Sequence, residues 1–246
     1  MPHPIRIGVG GWTFDPWRGT FFPDDLRQAD ELRFAARALT AIEVNGTFYR
    51  TQVPATFRKW ARHAPESFVF TLKAPRYVST RRKLAETGDQ VRRFLGSGLE
   101  ELGPKLGPIN WQLPPTRVFD CADLAGFLDL LPDSLNGLPL RHAIEARHDS
   151  FRSPAFAALL SDRKIAIVRA TDGPHPEIDA DTAPFAYIRL MGTREGAPQG
   201  YPKDELDRWA TRLRRIAKER EVFAFVISGH KVANPAAAQA LLQRLA

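Results

Sequence analysis

Cysteine is nearly absent from this sequence, and so are the long apolar runs that cross membranes. The single thiol, Cys121, cannot form an intramolecular disulfide, which favours a reducing cytoplasm. Because Cys121 opens an expected helix, we predict a buried apolar role for it rather than a nucleophilic one. No run approaches the ~18 apolar residues of a membrane helix, and the segment Met1–Pro4 lacks the layout of a secretion signal. We therefore expect a cytoplasmic protein that does not enter a membrane.

Linkers, low-complexity tracts and internal repeats are also missing from the 246 residues. That length is close to the size of one (β/α)8 barrel, so we predict a single domain over residues 1–246. With 43% hydrophobic and 26% charged residues, the chain can bury a sizeable core.

Positive charge is in excess: 35 Lys and Arg against 28 Asp and Glu give a net charge of +7. An excess of this size is compatible with a nucleic acid or another polyanion as partner. The alternative is that the cations lie on solvated helix faces, as the helical spacing of Arg208, Arg212 and Arg215 indicates. Both interpretations stay open at this point.

Short β-rich runs alternate with apolar stripes at helical spacing along the whole chain. The expected strands are Ile5–Gly10, Ala41–Val44, Phe68–Lys73, Leu106–Gln112, Arg141–Glu145, Ile165–Arg169, Phe185–Met191 and Val222–Ile227. Residues 172–184, after the sixth strand, are acidic and rich in proline and have no apolar stripe, so a loop replaces one helix. The pattern predicts a single (β/α)8 TIM-type barrel with eight parallel strands and about seven crossover helices.

Polar side chains lie at the downstream ends of at least five of these strands: Glu43, Lys73, Gln112, Glu145 and Arg189. Side chains alternate between the two faces of a strand, and these polar residues oppose apolar neighbours, so we expect them inside the barrel. Sites in such barrels are built at the carboxyl ends of the strands. We therefore predict a charged site at that end.

Several local strings are unusual enough to compare with a known family. They are Gly10-Gly11-Trp12, Pro16-Trp17-Arg18-Gly19, Glu43-Val44-Asn45-Gly46-Thr47-Phe48-Tyr49, Leu72-Lys73-Ala74-Pro75-Arg76, Trp111-Gln112-Leu113-Pro114-Pro115, Glu145-Ala146-Arg147-His148-Asp149-Ser150-Phe151 and Tyr187-Ile188-Arg189-Leu190. Together, from about residue 5 to about residue 245, they resemble the family catalogued as domain of unknown function 72. The resemblance implies a (β/α)8 barrel and no established activity. One position departs from it: the family usually has paired asparagines where this chain has Ser228-Gly229.

The leading hypothesis is an enzyme that acts on a small anionic substrate, phosphorylated or sugar-derived, by hydrolase, lyase or isomerase chemistry. Glu43 and Glu145 would be the acid and the base, because different environments separate the pKa values of two carboxyl groups. Lys73 and Arg189 would hold the anion. The further candidates for substrate binding are Trp12, Asn45, Tyr49, Arg76, Gln112, Arg147, Asp172 and His230.

Three alternatives remain. The inward charges can form a structural network, with Glu43 paired to Lys73 and Glu145 to Arg189, in a module that binds an anion without catalysis. The barrel can bind or process nucleic acid in outline like an apurinic endonuclease, through the loop Arg81-Arg82-Lys83 and through aromatic faces such as that of Trp17. No cofactor is predicted; a divalent metal held by Glu43, Glu145, Asp172 and His230 is possible but not favoured, since no short-spaced ligand motif occurs.

Overall fold

The computed structural model describes residues 2–246 and contains a closed barrel of eight parallel strands. The strands are β1 (Ile5–Gly10), β2 (Ala41–Val44), β3 (Val69–Lys73), β4 (Leu106–Gln112), β5 (His142–Glu145), β6 (Ala166–Thr171), β7 (Phe185–Leu190) and β8 (Glu221–Val226). Each strand pairs with the next along the chain, and β8 closes the barrel against β1. The predicted fold class is confirmed.

Helices follow the strands in the order that the apolar stripes predict. They are α1 (Glu31–Ala38), α2 (Gly46–Tyr49), α3 (Pro54–His63), α4 (Arg76–Ser79), α5 (Gly88–Leu95), α6 (Cys121–Leu128), α7 (Pro154–Ser161), α8 (Lys203–Ala217) and α9 (Asn234–Leu245). Helices α2 and α4 are single turns that directly follow β2 and β3. A short antiparallel hairpin, Ser134–Leu135 with Leu138–Pro139, precedes β5 and was not expected. No helix within residues 2–246 is both long enough and apolar enough to span a bilayer.

The two faces of each strand contact different surroundings. The outward side chains, such as Ile42, Phe70 and Leu72, pack against the helices in the main core. The inward side chains form a second, apolar cluster inside the barrel, which near the amino ends of the strands includes Ala41, Val69, Ala143, Val168, Phe185 and Phe223. The polar inward side chains Glu43, Lys73, Glu145 and Arg189 lie toward the carboxyl ends. We call that end of the barrel the mouth.

Residues 172–184, the acidic strap, cross the barrel wall where a helix would lie after β6, and no helix forms in them. The outward Arg169 of β6 is nearly buried; its Nε lies 2.8 Å from Asp179 Oδ1, and its Nη2 contacts Asp181. Arg220 Nη1 lies 3.0 Å from the same Asp181 oxygen, and Arg212 Nη2 lies 3.2 Å from Asp179. Ion pairs therefore attach this segment in place of an apolar stripe, which explains its acidic composition.

Two sequence predictions about single residues are wrong. Cys121 is exposed, because it occupies the first turn of α6, ahead of the apolar stripe that begins at Leu124. Trp17 offers no open face to a ligand: it is fully buried, and its Nε1 donates a 2.9 Å hydrogen bond to the backbone oxygen of Lys231.

The strap gives a stability prediction. Replacing Arg169 with Met should lower the free energy of unfolding by ~1–3 kcal/mol, since hydrogen bonds between charged groups contribute on that order when partly buried. The matched control is Arg208→Met, which removes an exposed pair with Asp204 and should cost under ~0.5 kcal/mol. Urea unfolding measures both. Equal losses in the two variants would mean that the strap does not depend on Arg169.

Candidate active site

Arg189, at the end of β7, lies between two carboxylates inside the mouth. Its Nη1 donates hydrogen bonds to Glu145 Oε1 and Oε2 at 2.8 and 2.9 Å, and its Nη2 donates to Glu43 Oε1 at 3.1 Å. Neither carboxylate has any exposed surface, and Arg189 is 2% exposed. The expected pair between Glu145 and Arg189 is therefore formed. The expectation that Arg189 binds an anion directly is not supported, because both of its terminal nitrogens already contact carboxylates.

Glu145, at the end of β5, receives hydrogen bonds on both oxygens. Asn110 Nδ2 and Gln112 Nε2 of β4 donate to Oε2 at 3.0 and 2.9 Å, and Arg147 Nε donates to Oε1 at 2.8 Å. Burial raises the pKa of Glu145, but Arg189 and Arg147, helped by the two amides, outweigh burial and hold it at about 2. A general acid needs the opposite shift. This glutamate is a permanent anion that orients its neighbours.

Glu43, at the end of β2, has a different set of partners. Tyr187 donates its hydroxyl to Glu43 Oε2 at 2.6 Å, and that hydroxyl lies 3.0 Å from the hydroxyl of Thr71. Burial and the adjacent Glu43 carboxylate raise the pKa of Tyr187 well above its ordinary value, so the phenol keeps its proton. The expected pair between Glu43 and Lys73 is not formed: no carboxylate oxygen of residues 2–246 lies within 4.0 Å of Lys73 Nζ.

Lys73, the last residue of β3, is 7% exposed, and its side chain makes no hydrogen bond within the described chain. Its Nζ lies 4.0 Å from the centroid of the Phe48 ring. That ring is held in place because the Thr47 hydroxyl donates a 2.7 Å hydrogen bond to the backbone oxygen of Lys73. Burial lowers the pKa of Lys73 to about 8, and the positive charge of Arg189 acts in the same direction. The mouth thus contains an amine that titrates close to neutral pH.

We call Glu43, Lys73, Glu145, Arg147 and Arg189 the charge cluster. It carries one surplus positive charge when the lysine is protonated and none when it is neutral. A surplus charge beside a low-dielectric wall attracts anions.

The remaining predicted site residues do not all join this cluster. Trp12 and Asn45 line a neighbouring groove of about 280 Å³ at the ends of β1 and β2, together with Lys231. A Cβ at Gly10 would lie 2.8 Å from Asn45 Nδ2, so a larger residue there would displace that amide. Trp12 packs edge-on against Trp60, with ring centroids 5.3 Å apart. The groove adjoins the charge cluster through Gly10, which pairs in register with Glu43.

Four other candidates lie further out. Tyr49 is 72% exposed, and Arg76 is exposed on α4. Asp172 has a left-handed backbone, with φ 58°, and lines a separate hollow with Glu205 of α8. His230 follows β8 and contributes a backbone amide that donates to the Thr193 carbonyl at 2.8 Å.

His148 caps the short turn after β5: its Nδ1 accepts a 3.2 Å hydrogen bond from the Ser150 amide. The metal alternative needs Glu43, Glu145, Asp172 and His230 in one place. The described residues, 2–246, contain no group of three or more His, Cys, Asp or Glu side chains arranged to hold a metal ion.

Several side chains of the site were not singled out from the sequence. Asn110 and Tyr187 lie on the inward faces of their strands, two positions before Gln112 and Arg189, so the period-2 pattern could have found them. His175 on the acidic strap could not be found in this way. Burial and then Arg147 lower the pKa of His175.

The fold and the site define a class: a (β/α)8 barrel with a buried network of charges beneath its carboxyl-terminal mouth. Residues 6–246 match the model of the family described as "Protein of unknown function DUF72", and the chain belongs to that family.

Two solved structures and one curated sequence are similar to the chain. A DUF72 family protein from Thermotoga maritima MSB8 is 20% identical, with a TM-score of 0.78 and 98% of each chain covered. Another from Enterococcus faecalis V583 is 19% identical, with a TM-score of 0.74, over 98% of this chain and 95% of that one. The UPF0759 protein YunF of Bacillus subtilis (strain 168) is 25% identical over 158 residues, which are 62% of this chain and 54% of that protein. The match thus spans about half the length of that curated relative.

The position of Arg189 predicts a large effect on stability. Arg189→Met leaves two buried carboxylates without their shared partner, and we expect a loss of ~3–5 kcal/mol in the free energy of unfolding. The control is Arg194→Met, which breaks a largely exposed pair with Glu205 and should cost at most ~1 kcal/mol. A loss at Arg189 no larger than that of the control would contradict the bridging role.

The low pKa of Glu145 predicts that the stability of the fold depends on pH in the acid range. That pKa is held at about 2, below the ordinary 4.5, so the carboxylate stabilises the fold above that ordinary value. This contribution should disappear as the pH falls from about 4.5 to about 2. We expect the free energy of unfolding of the wild type to fall more steeply over this interval than that of Glu145→Gln. Parallel curves would show that Glu145 is not a buried, ion-paired carboxylate.

Proposed function

We propose that the mouth is the active site of an enzyme that takes a small anionic substrate, phosphorylated or sugar-derived. In this proposal Lys73 exchanges the proton and Arg147 binds the anion, while Glu43 and Glu145 orient the cations instead of acting as acid and base. The observation that carries the proposal is a buried lysine at the mouth that has no carboxylate partner.

A second buried lysine in the same chain shows what a structural role looks like. Lys105 is 5% exposed, and its Nζ donates hydrogen bonds to the carbonyl oxygens of Ala61 and Ala64 at 2.8 and 2.9 Å and to Glu66 at 3.1 Å. All three protons of that ammonium have acceptors. Lys73 has none of these contacts, and its Nζ reaches solvent at the mouth. A lysine that is mostly withdrawn from water and has no partner within the protein is typical of a functional site rather than of a structural one.

Arg147 has the geometry of an anion ligand. Its Nε and Nη2 both contact Glu145 Oε1, at 2.8 and 2.7 Å, and its side chain is 19% exposed. Its Nη1 has no hydrogen-bond or ion-pair partner in residues 2–246. A guanidinium that is fixed on one edge and open on another suits a phosphate or a carboxylate.

The protonation of Lys73 links binding to chemistry. With a pKa of about 8, the amine is present in both forms near neutral pH, which is the condition for general acid–base catalysis. The protonated form also supplies the surplus charge of the cluster. Anion affinity should therefore be highest below pH 8 and fall as the pH rises through that value.

Thermal-shift titrations with inorganic phosphate, glucose 6-phosphate and gluconate test this function. We expect Lys73→Met to weaken the apparent affinity for an anion at least ~10-fold, equivalent to ~1.4 kcal/mol. The matched control is Lys59→Met, the same change at an exposed position of α3, which should bind as the wild type does. If no anion stabilises the wild type, or if binding survives Lys73→Met at every pH, the proposal fails.

A second candidate is single-stranded nucleic acid, favoured by one exposed surface. Tyr49 is 72% exposed, and Arg76, Arg81 and Arg82 are exposed without an ion pair in the described residues. Aromatic stacking beside cations is the usual mode of binding single strands. For an oligonucleotide, replacing Arg81 and Arg82 by Gln should reduce the salt slope by ~0.7 for each phosphate that the variant no longer neutralises. An unchanged slope, or no binding, would remove this candidate.

A further inference from the structure

We propose that Lys73 Nζ is a nucleophile that forms a Schiff base with the aldehyde or ketone group of an anionic carbonyl compound. The inference rests on the proposed function, since it assigns the substrate class of the same site. Its basis is the geometry of the mouth: a lysine that is 7% exposed, whose Nζ reaches solvent, makes no hydrogen bond within the described residues and lies 4.0 Å from the centroid of the Phe48 ring.

The surroundings of Lys73 favour the neutral amine, which is the nucleophilic form. A lysine is activated when it is desolvated or lies near another cation, and both conditions apply at the end of β3. Burial is the larger cause of its lowered pKa, and Arg189 is the second. The Phe48 ring centroid lies 4.0 Å from Nζ; an aromatic face attracts an ammonium, so this contact positions the side chain and acts against the two effects that favour the neutral form.

A buried acceptor without a partner lies in the same layer of the barrel. Asn110 pairs in register with Lys73 across β3 and β4, so both side chains point to the interior. Asn110 Nδ2 donates to Glu145 Oε2, which fixes the orientation of the amide because a carboxylate only accepts. Asn110 Oδ1 has no hydrogen-bond partner in the described residues. In the proposed imine, the N–H at Lys73 donates to this oxygen.

The step balances without an oxidant or a metal. The lone pair of the neutral amine attacks the carbonyl carbon, the C=O π electrons move to oxygen, and the proton that the attacking nitrogen then loses is transferred to that oxygen. The resulting neutral carbinolamine has a lone pair on nitrogen; its hydroxyl group takes up one further proton, equivalent to the one that the ammonium released, and leaves as water while the lone pair forms the C=N bond. Overall, one ammonium and one carbonyl give one iminium and one water. The iminium keeps the surplus positive charge of the cluster, so an anionic substrate stays neutralised throughout.

Borohydride trapping tests the proposal. The full-length protein is incubated with pyruvate or dihydroxyacetone phosphate, reduced with sodium borohydride, and analysed by intact mass and peptide mapping. We expect one addition, at Lys73, at least tenfold faster than at the exposed Lys59, and slower labelling with uncharged dihydroxyacetone. Labelling spread evenly over exposed lysines, or no labelling with either anionic carbonyl, overturns the proposal.

Lys73→Arg separates this proposal from the proposed function. Arginine keeps the positive charge but cannot form an imine under these conditions, so the variant should still bind phosphate in the thermal-shift titration and should lose the label. If the wild type binds phosphate and is not trapped, the imine proposal fails and the anion site stands. If the wild type neither binds anions nor is trapped, both fail.

Discussion

The bridge that Arg189 forms between Glu43 and Glu145 is the interaction on which the rest of the mouth depends. It connects β2, β5 and β7 beneath the surface, where neither carboxylate meets water. Two anions at this depth need partners, and one guanidinium serves both, together with Arg147 at Glu145 and Tyr187 at Glu43. The same guanidinium disfavours the protonated form of Lys73. The contact that stabilises the fold therefore also lowers the pKa of the Lys73 amine.

The apolar floor of the barrel makes this electrostatic arrangement effective. Below the charge cluster, Val69, Phe185 and Phe223 fill the interior with apolar side chains. Charge interactions are stronger in such surroundings than in water. The buried charged side chains thus lie in one layer, at the carboxyl ends of the strands, and the remainder of the barrel is an ordinary packed core.

The sequence predicted the fold and the layer of the barrel in which the site lies. It did not predict which charged side chains pair with each other. The period-2 pattern placed Glu43, Lys73, Glu145 and Arg189 inside the barrel, and the strap after β6 was recognised as a loop. Because partners across a barrel depend on strand tilt and side-chain length, adjacency along the sheet suggested a Glu43–Lys73 pair. Arg189 reaches Glu43 instead, which leaves Lys73 without a carboxylate. The burial of Trp17 likewise depends on how its loop folds back, which no local pattern encodes.

The central claim is that Lys73 is a buried amine with a lowered pKa and no carboxylate partner. The most direct measurement is its titration, by NMR of ¹³C-labelled lysine with Lys73→Arg used to assign the signal. The account predicts a midpoint at about pH 8. A midpoint at the ordinary value of 10.5 would contradict it, because the amine would then be solvated or ion-paired.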